Sequence, residues 1–175
     1  LEADDILHNI RSGVLTVDTF GSSYDTILTA YTGGCGALSE MPGGCNDDFQ
    51  PPDRTSRVQI AAVEGVTYTF QVSAYNSDGG PLAFHLDFAP NPPPNDPCGG
   101  ATIVAGNPYA NVTYTEAATT DVGEPASPCG LGSAARSVWY RFTAPGSGTL
   151  HLDTLGSACS SDLSVYSGGC GALVA

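Results

Sequence analysis

Asn46, Asp47 and Asp48 follow Cys45 without interruption, Asp53 comes soon after, and Asp18 and Asp25 lie on the preceding hairpin. Carboxylate and amide oxygens at that density suit a hard divalent cation, since calcium gathers roughly six to eight oxygens from flexible loops. Asp25, Asn46, Asp47 and Asp48 are the candidate ligands, and calcium is the candidate cofactor. The competing explanation is an Asx-rich turn, in which these side chains bond to their own backbone. Acid–base catalysis needs two carboxyl groups whose surroundings split their pKa values. With 18 acidic residues in the chain, some close pairs are inevitable and proximity alone carries little weight. The sequence holds no Gly-x-Ser-x-Gly elbow, no His-Glu-x-x-His helix and no Gly-rich phosphate loop. No catalytic residue is assigned, and the chain is expected not to be an enzyme.

The other reactive side chains are six cysteines: Cys35, Cys45, Cys98, Cys129, Cys159 and Cys170. An even number in a Gly- and Pro-rich chain points to disulfides and an oxidising compartment. Proximity along the chain favours Cys35–Cys45, Cys98–Cys129 and Cys159–Cys170. A zinc site is the rival, but no Cys-x-x-Cys occurs and His8, His85 and His151 fall in strand-like or terminal stretches. Trp139 and Tyr140 alternate along one strand-like segment, so they face opposite ways, and a lone Trp is more often core than a sugar platform. Asn111-Val112-Thr113 is a glycosylation sequon, relevant only in a host that modifies secreted proteins.

The elements that position these residues are short strands. The 175 residues include 22 glycines and 13 prolines, a fifth of the chain, and only 13% are charged. That balance disfavours helices and coiled coils. Apolar runs stay well short of the roughly 18 residues of a membrane-spanning helix. The net charge is −13, and the basic residues are five arginines with no lysine. A nucleic-acid-binding face is excluded, because it needs clustered cations. Alternating β-branched and aromatic segments predict strands at 14–17, 26–31, 57–60, 68–72 and 82–86. Further strands are predicted at 101–104, 112–115, 138–142, 150–152 and 163–166.

Residues 12–38, SGVLTVDTFGSSYDTILTAYTGGCGAL, align without a gap to residues 147–173, SGTLHLDTLGSACSSDLSVYSGGCGAL, with 15 of 27 positions identical. The offset is 135 residues, and the Pro-rich stretch 90–97 reads as a stiff spacer between domains. Residues 1–89 therefore read as the later two-thirds of one unit and 98–175 as the earlier part of the next. Strands every 8–15 residues without helical periodicity predict an all-β chain of antiparallel, jelly-roll-like β-sandwich domains in tandem.

Ser137-Val138-Trp139-Tyr140-Arg141-Phe142-Thr143-Ala144-Pro145, then Ser147-Gly148-Thr149-Leu150 and Asp153-Thr154, resemble the first half of bacterial pre-peptidase C-terminal (PPC-like) domains. The later half of such domains is similar to Tyr24-Asp25-Thr26-Ile27-Leu28, Cys45-Asn46-Asp47-Asp48, Ser56-Arg57-Val58 and Gly65-Val66-Thr67-Tyr68-Thr69-Phe70-Gln71-Val72. Asn95-Asp96-Pro97-Cys98 looks like the family's opening. The resemblance implies a small secreted β-sandwich without a catalytic centre, often in tandem or appended to hydrolases. It also implies calcium binding at Asp25, Asn46, Asp47 and Asp48. Residues 1–11 depart from the Trp-Tyr-Arg-Phe strand that should precede Ser12, leaving open whether Ile6, Leu7 and Ile10 make a substitute.

The functional expectation is a non-catalytic extracellular structural or adhesive repeat protein. A sharper form has copies completing one another's sheets by strand addition, so that the partner is a second copy and the product a filament. The alternative is an accessory module of a secreted protease or hydrolase, with a protein or polysaccharide ligand.

Overall fold

The computed structural model describes residues 11–76, 79–127, 129 and 136–175, so the question of a strand at Ile6, Leu7 and Ile10 lies outside the described residues. The chain divides into two compact units, Leu1–Asn91 and Pro92–Ala175. Among the described residues there is no α-helix, and so none long and apolar enough to cross a membrane.

Among the described residues, unit 1 holds six strands: β1 (Gly13–Asp18), β2 (Thr26–Thr32), β3 (Ser39–Asn46), β4 (Arg57–Ala62), β5 (Tyr68–Ala74) and β6 (His85–Pro90). They form two antiparallel sheets, ordered β4-β1-β6 and β3-β2-β5. The repeated segment thus supplies the central strand of each sheet; β1 and β2 do not pair with each other and the chain crosses from one sheet to the other, so the hairpin read between Asp18 and Asp25 is corrected to a link between sheets. Alternation dictates which side chains turn inward: in β1 Leu15 and Val17, and in β4 Val58, Ile60 and Ala62, while Val14, Gln59 and Ala61 face water. These five meet Leu28 and Ala30 of β2 in one core, with Met41, Tyr68, Phe70, Val72 and Phe88 packed around it. Side chains from both sheets share this cluster, which makes unit 1 sandwich-like. Each fully buried large aliphatic side chain contributes roughly 1.5–3 kcal/mol.

Two elements differ from the sequence reading. β3 is an unpredicted strand, because Met41-Pro42-Gly43-Gly44 reads as a turn. It forms at a sheet edge, where Pro is tolerated, and its register against β2 shifts between Thr29 and Tyr31. A Cβ on Gly44 would lie 2.9 Å from the Met41 Cβ and 3.1 Å from the Ala30 carbonyl oxygen, so the irregularity needs glycine there. The predicted 82–86 strand begins at His85 and runs to Pro90, with Leu15 pairing Phe88 and Gly13 pairing Pro90.

Unit 2 carries fewer ladders than its sequence pattern predicts. Its ladder among the described residues is parallel, joining β7 (Thr102–Ile103) to β8 (Tyr140–Arg141). The predicted strands at 112–115, 150–152 and 163–166 make no ladder, and a lone bridge joins Ser167 to Val174. The later part of the stretch read as a spacer is anchored into this unit, while Pro90 ends β6 and Asn91 N donates to Ser12 O in unit 1. Asn95 and Asp96 are buried; Asn95 O accepts from Trp139 N at 2.8 Å, and Asp96 accepts from Thr119 N and Oγ1 at 2.6 and 2.7 Å.

The expected cysteine pairing is corrected. Cys98 bonds Cys170 across 72 residues, in place of Cys98–Cys129 and Cys159–Cys170. Cys35, Cys45, Cys129 and Cys159 are free and exposed, so Cys35–Cys45 is absent as well. The reason lies in hairpin geometry. Cys45 sits beside Thr29, whereas the β2–β3 ladder ends at Thr32 and Ser39 with Cys35 beyond it. About 20 Å of extended strand separates Ser39 from Cys45, far more than the roughly 4.4–6.8 Å between Cα atoms that a disulfide spans.

Candidate functional site

The acidic loop after β3 gathers three of the four predicted oxygen donors. Carboxylate oxygens of Asp25, Asp47 and Asp48 all lie within 4.8 Å of one another. Asp25 reaches this point because it immediately precedes β2, whose partner β3 delivers Asn46 at its end. Asn46 plays a different part. Its Oδ1 accepts from Arg57 N at 2.8 Å and its Nδ2 donates to Asp48 O at 3.3 Å, so it braces the loop on which the aspartates sit. Asp18 and Asp53 stand apart: Asp18 Oδ1 meets His85 Nδ1 at 2.8 Å, and Asp53 Oδ1 accepts from Thr55 N and Oγ1.

Electrostatically the cluster is frustrated. Asp25 Oδ1 is buried without a hydrogen bond, and the largely exposed Arg54 guanidinium approaches Asp25 Oδ2 only to 3.9 Å. Such a loose pair contributes little. Lost hydration, then the neighbouring Asp48 and Asp25 charges, raise the Asp47 carboxyl above its usual value. Asp25, Asp47 and Asp48 are the residues that could hold a cation, each bringing one carboxylate oxygen to this point.

Beneath the loop lies a feature that strand periodicity does not reveal. Thr19, Thr26 and Ser56 are fully buried, and their hydroxyls form a chain: Thr19 Oγ1 to Thr26 Oγ1 at 2.7 Å, and Thr26 Oγ1 to Ser56 Oγ at 3.0 Å. Ser56 Oγ also lies 2.7 Å from the Asp47 carbonyl oxygen, and Ser56 N donates to Thr19 Oγ1 at 2.8 Å. The trio ties the start of β4 to the β1–β2 turn and to the acidic loop. All three residues sit at or beside strand ends, where the two-residue period carries no information.

No family model, curated protein or solved structure matches this chain. Its two copies of one segment offer an internal comparison instead.

The turns of the repeat are built alike in both units. Asp18 Oδ1 accepts from Phe20 N at 3.0 Å, and Asp153 Oδ1 from Leu155 N at 3.1 Å. The hydroxyl contact of Thr19 with Thr26 recurs between Thr154 and Ser161, again at 2.7 Å. The cysteine-bearing tips match as well: Ala37 N donates to Gly34 O and Ala172 N to Gly169 O, both at 2.9 Å. Gly33 and Gly168 have φ of 87° and 100°, and at each an added Cβ would meet the carbonyl oxygen four residues on at 2.5 Å.

The strands between those turns differ completely. Leu15, Val17, Leu28 and Ala30 are 0–6% exposed in unit 1, whereas their equivalents Leu150, Leu152, Leu163 and Val165 are 44–61% exposed. In unit 1 these positions are flanked by β4 and β6 or by β3 and β5. In unit 2 they carry the same apolar pattern with no flanking strands among the described residues. Such a face is a candidate association surface.

Proposed function

We propose that this chain is a non-catalytic extracellular structural protein, a PPC-like β-sandwich repeat whose copies assemble by completing one another's sheets into filaments. The observation that carries this reading is the exposure of Leu150, Leu152, Leu163 and Val165, where the same repeated segment in unit 1 is buried between flanking strands. Among the described residues, the strands that cover that segment are those of unit 1, so a second copy carries what the exposed segment lacks. Strand addition satisfies both the apolar face and the unpaired backbone groups, and a head-to-tail contact that does not close makes a filament. The net charge of −13 keeps such polymers soluble and repels anionic ligands. The Cys98–Cys170 bond suits an oxidising exterior. Calcium at Asp25, Asp47 and Asp48 would neutralise the repulsion at the end of β3 and stiffen the loop.

Negative-stain microscopy of the purified chain, with and without a calcium chelator, tests this. Ordered filaments are the expected result, with fraying on chelation. Monodisperse monomers at micromolar concentration, with the 147–173 backbone protected from hydrogen exchange, would overturn the reading and leave an accessory module of a hydrolase as its successor.

A further inference from the structure

The exposed apolar residues of unit 1 gather on one side of its sandwich. β3 and β4 lie against each other and close the opposite side. Leu86 pairs Val17 and Phe88 pairs Leu15, and residues directly opposite in a ladder share a face, so Leu86 and Phe88 belong to the inner face of their sheet. Val17 is fully buried, yet Leu86 is 52% exposed, and Leu82 and Phe84 just before β6 are also exposed. From the other sheet β5 turns Tyr68, Phe70 and Val72 toward the core, and all three are only partly buried. The order β3-β2-β5 ends at β5, and among the described residues no strand follows it to lie over Leu86. The four edge strands are not equally protected. β3 carries Glu40 and Pro42, β4 carries Arg57, and β6 carries Asp87 and Pro90, the charges and prolines that discourage a further strand. β5, Tyr68-Thr69-Phe70-Gln71-Val72-Ser73-Ala74, has neither. In unit 2, Leu163-Ser164-Val165-Tyr166-Ser167 is equally free of charge and proline. Ser164 Oγ lies 2.7 Å from Ser127 Oγ and the Tyr166 ring 5.9 Å from Trp139, so these alternate side chains are held by their own unit. Leu163 and Val165, the other alternate pair, are 44% and 61% exposed.

We infer that the free edge of β5 is the docking site for residues 163–167 of a second copy. This rests on the strand-completion reading above and deepens it by naming the strand that receives and the run that enters. The incoming run extends β3-β2-β5 by a fourth strand, and its Leu163 and Val165 close over Phe84, Leu86 and Phe88 on the open side of the sandwich. Ser164 and Tyr166 then face away from the sandwich, toward the Ser127 and Trp139 that already hold them. Docking therefore displaces nothing and covers exposed apolar side chains on both partners. Main-chain hydrogen bonds along β5 supply affinity, and the alternate apolar side chains fix the register. Each copy has one such edge and one such run, so the contact repeats head to tail.

The test is sedimentation velocity of the full purified chain at micromolar concentration, with two variants measured singly and mixed. Leu86→Asp disables the receiving side and Val165→Asp the entering run; both side chains are more than half exposed, and circular dichroism checks that each variant is folded. The expected result is multimers for the wild-type chain and monomers for either variant alone. An equal mixture of the two should give dimers and nothing larger, because the intact run of Leu86→Asp meets the intact edge of Val165→Asp and no second junction can form. Val112→Asp, at an exposed position elsewhere in unit 2, should assemble as the wild type does. Multimers that survive either Leu86→Asp or Val165→Asp overturn the inference while leaving strand completion standing. Monomers in the mixture, or loss of assembly with Val112→Asp as well, overturn it in the same way. A wild-type chain that stays monomeric overturns the inference and the strand-completion reading together.

Discussion

Leu28 and Leu163 occupy the same position of the repeat, and replacing each with alanine separates the pattern from the packing. Leu28 is completely buried between the sheets, while Leu163 is 44% exposed. Removing three carbons forfeits about 0.8 kcal/mol each, about 2.4 kcal/mol at full burial. At Leu28 a cavity adds to this, because the core of both sheets encloses the site, and the total falls in the range of about 2–5 kcal/mol. At Leu163 a little over half of the transfer applies, about 1.3 kcal/mol, and water fills the gap without a cavity penalty. Thermal unfolding reads the two separately, with far-UV circular dichroism following the ladders of unit 1 and Trp139 fluorescence following unit 2. Leu28→Ala should lower the midpoint of unit 1 by about 10 °C or more, and Leu163→Ala should move that of unit 2 by clearly less. Equal losses at the two sites would refute the packing difference on which the functional reading stands.

Ser56→Ala should destabilise unit 1 by about 1–3 kcal/mol, since it leaves the Thr26 hydroxyl and the Asp47 carbonyl short of a partner in a buried site; chemical denaturation of the variant checks this. The exposed Ser157→Ala should shift stability by less than about 0.5 kcal/mol in the same assay. Calcium should raise the melting temperature of the wild-type chain, and Asp47→Asn should abolish that rise; calorimetry with and without the ion checks both. The pH dependence has a definite sign. A raised Asp47 pKa means the folded chain binds that proton more readily than the unfolded one, so without metal this group opposes folding above the raised value. Its unfavourable contribution should fade as pH drops from neutrality towards the carboxylate range. With calcium present the trend should reverse, because protons displace the ion, and identical pH profiles in the two conditions would contradict the site.

Four of the six strands of unit 1 among the described residues are legible in the sequence. β1, β2, β4 and β5 alternate apolar and polar residues, and one buried face per sheet enforces that alternation. β3 is not legible, because Pro42 and the two glycines after it describe a turn locally, and only the edge position beside β2 makes a strand of them. The convergence of Asp25 with Asp47 and Asp48 follows from a hairpin that returns to the start of β2. The hydroxyl trio beneath them does not, since Thr19, Thr26 and Ser56 are brought together from three separate strand ends.

The sequence by itself determined an all-β, lysine-free, acidic chain with a repeated segment, because composition and periodicity are properties of neighbouring residues. The turns of that segment belong to the same class: glycines at positive φ and side chains that bond two residues away form alike in both units. Cysteine partners and strand ladders belong to the tertiary structure. Cys98 reaches past Cys129 and Cys159 to Cys170, and closely similar apolar patterns are core in one unit and exposed in the other. A strand is completed by neighbours from distant parts of the chain, so its own residues specify which face must be covered but not what covers it.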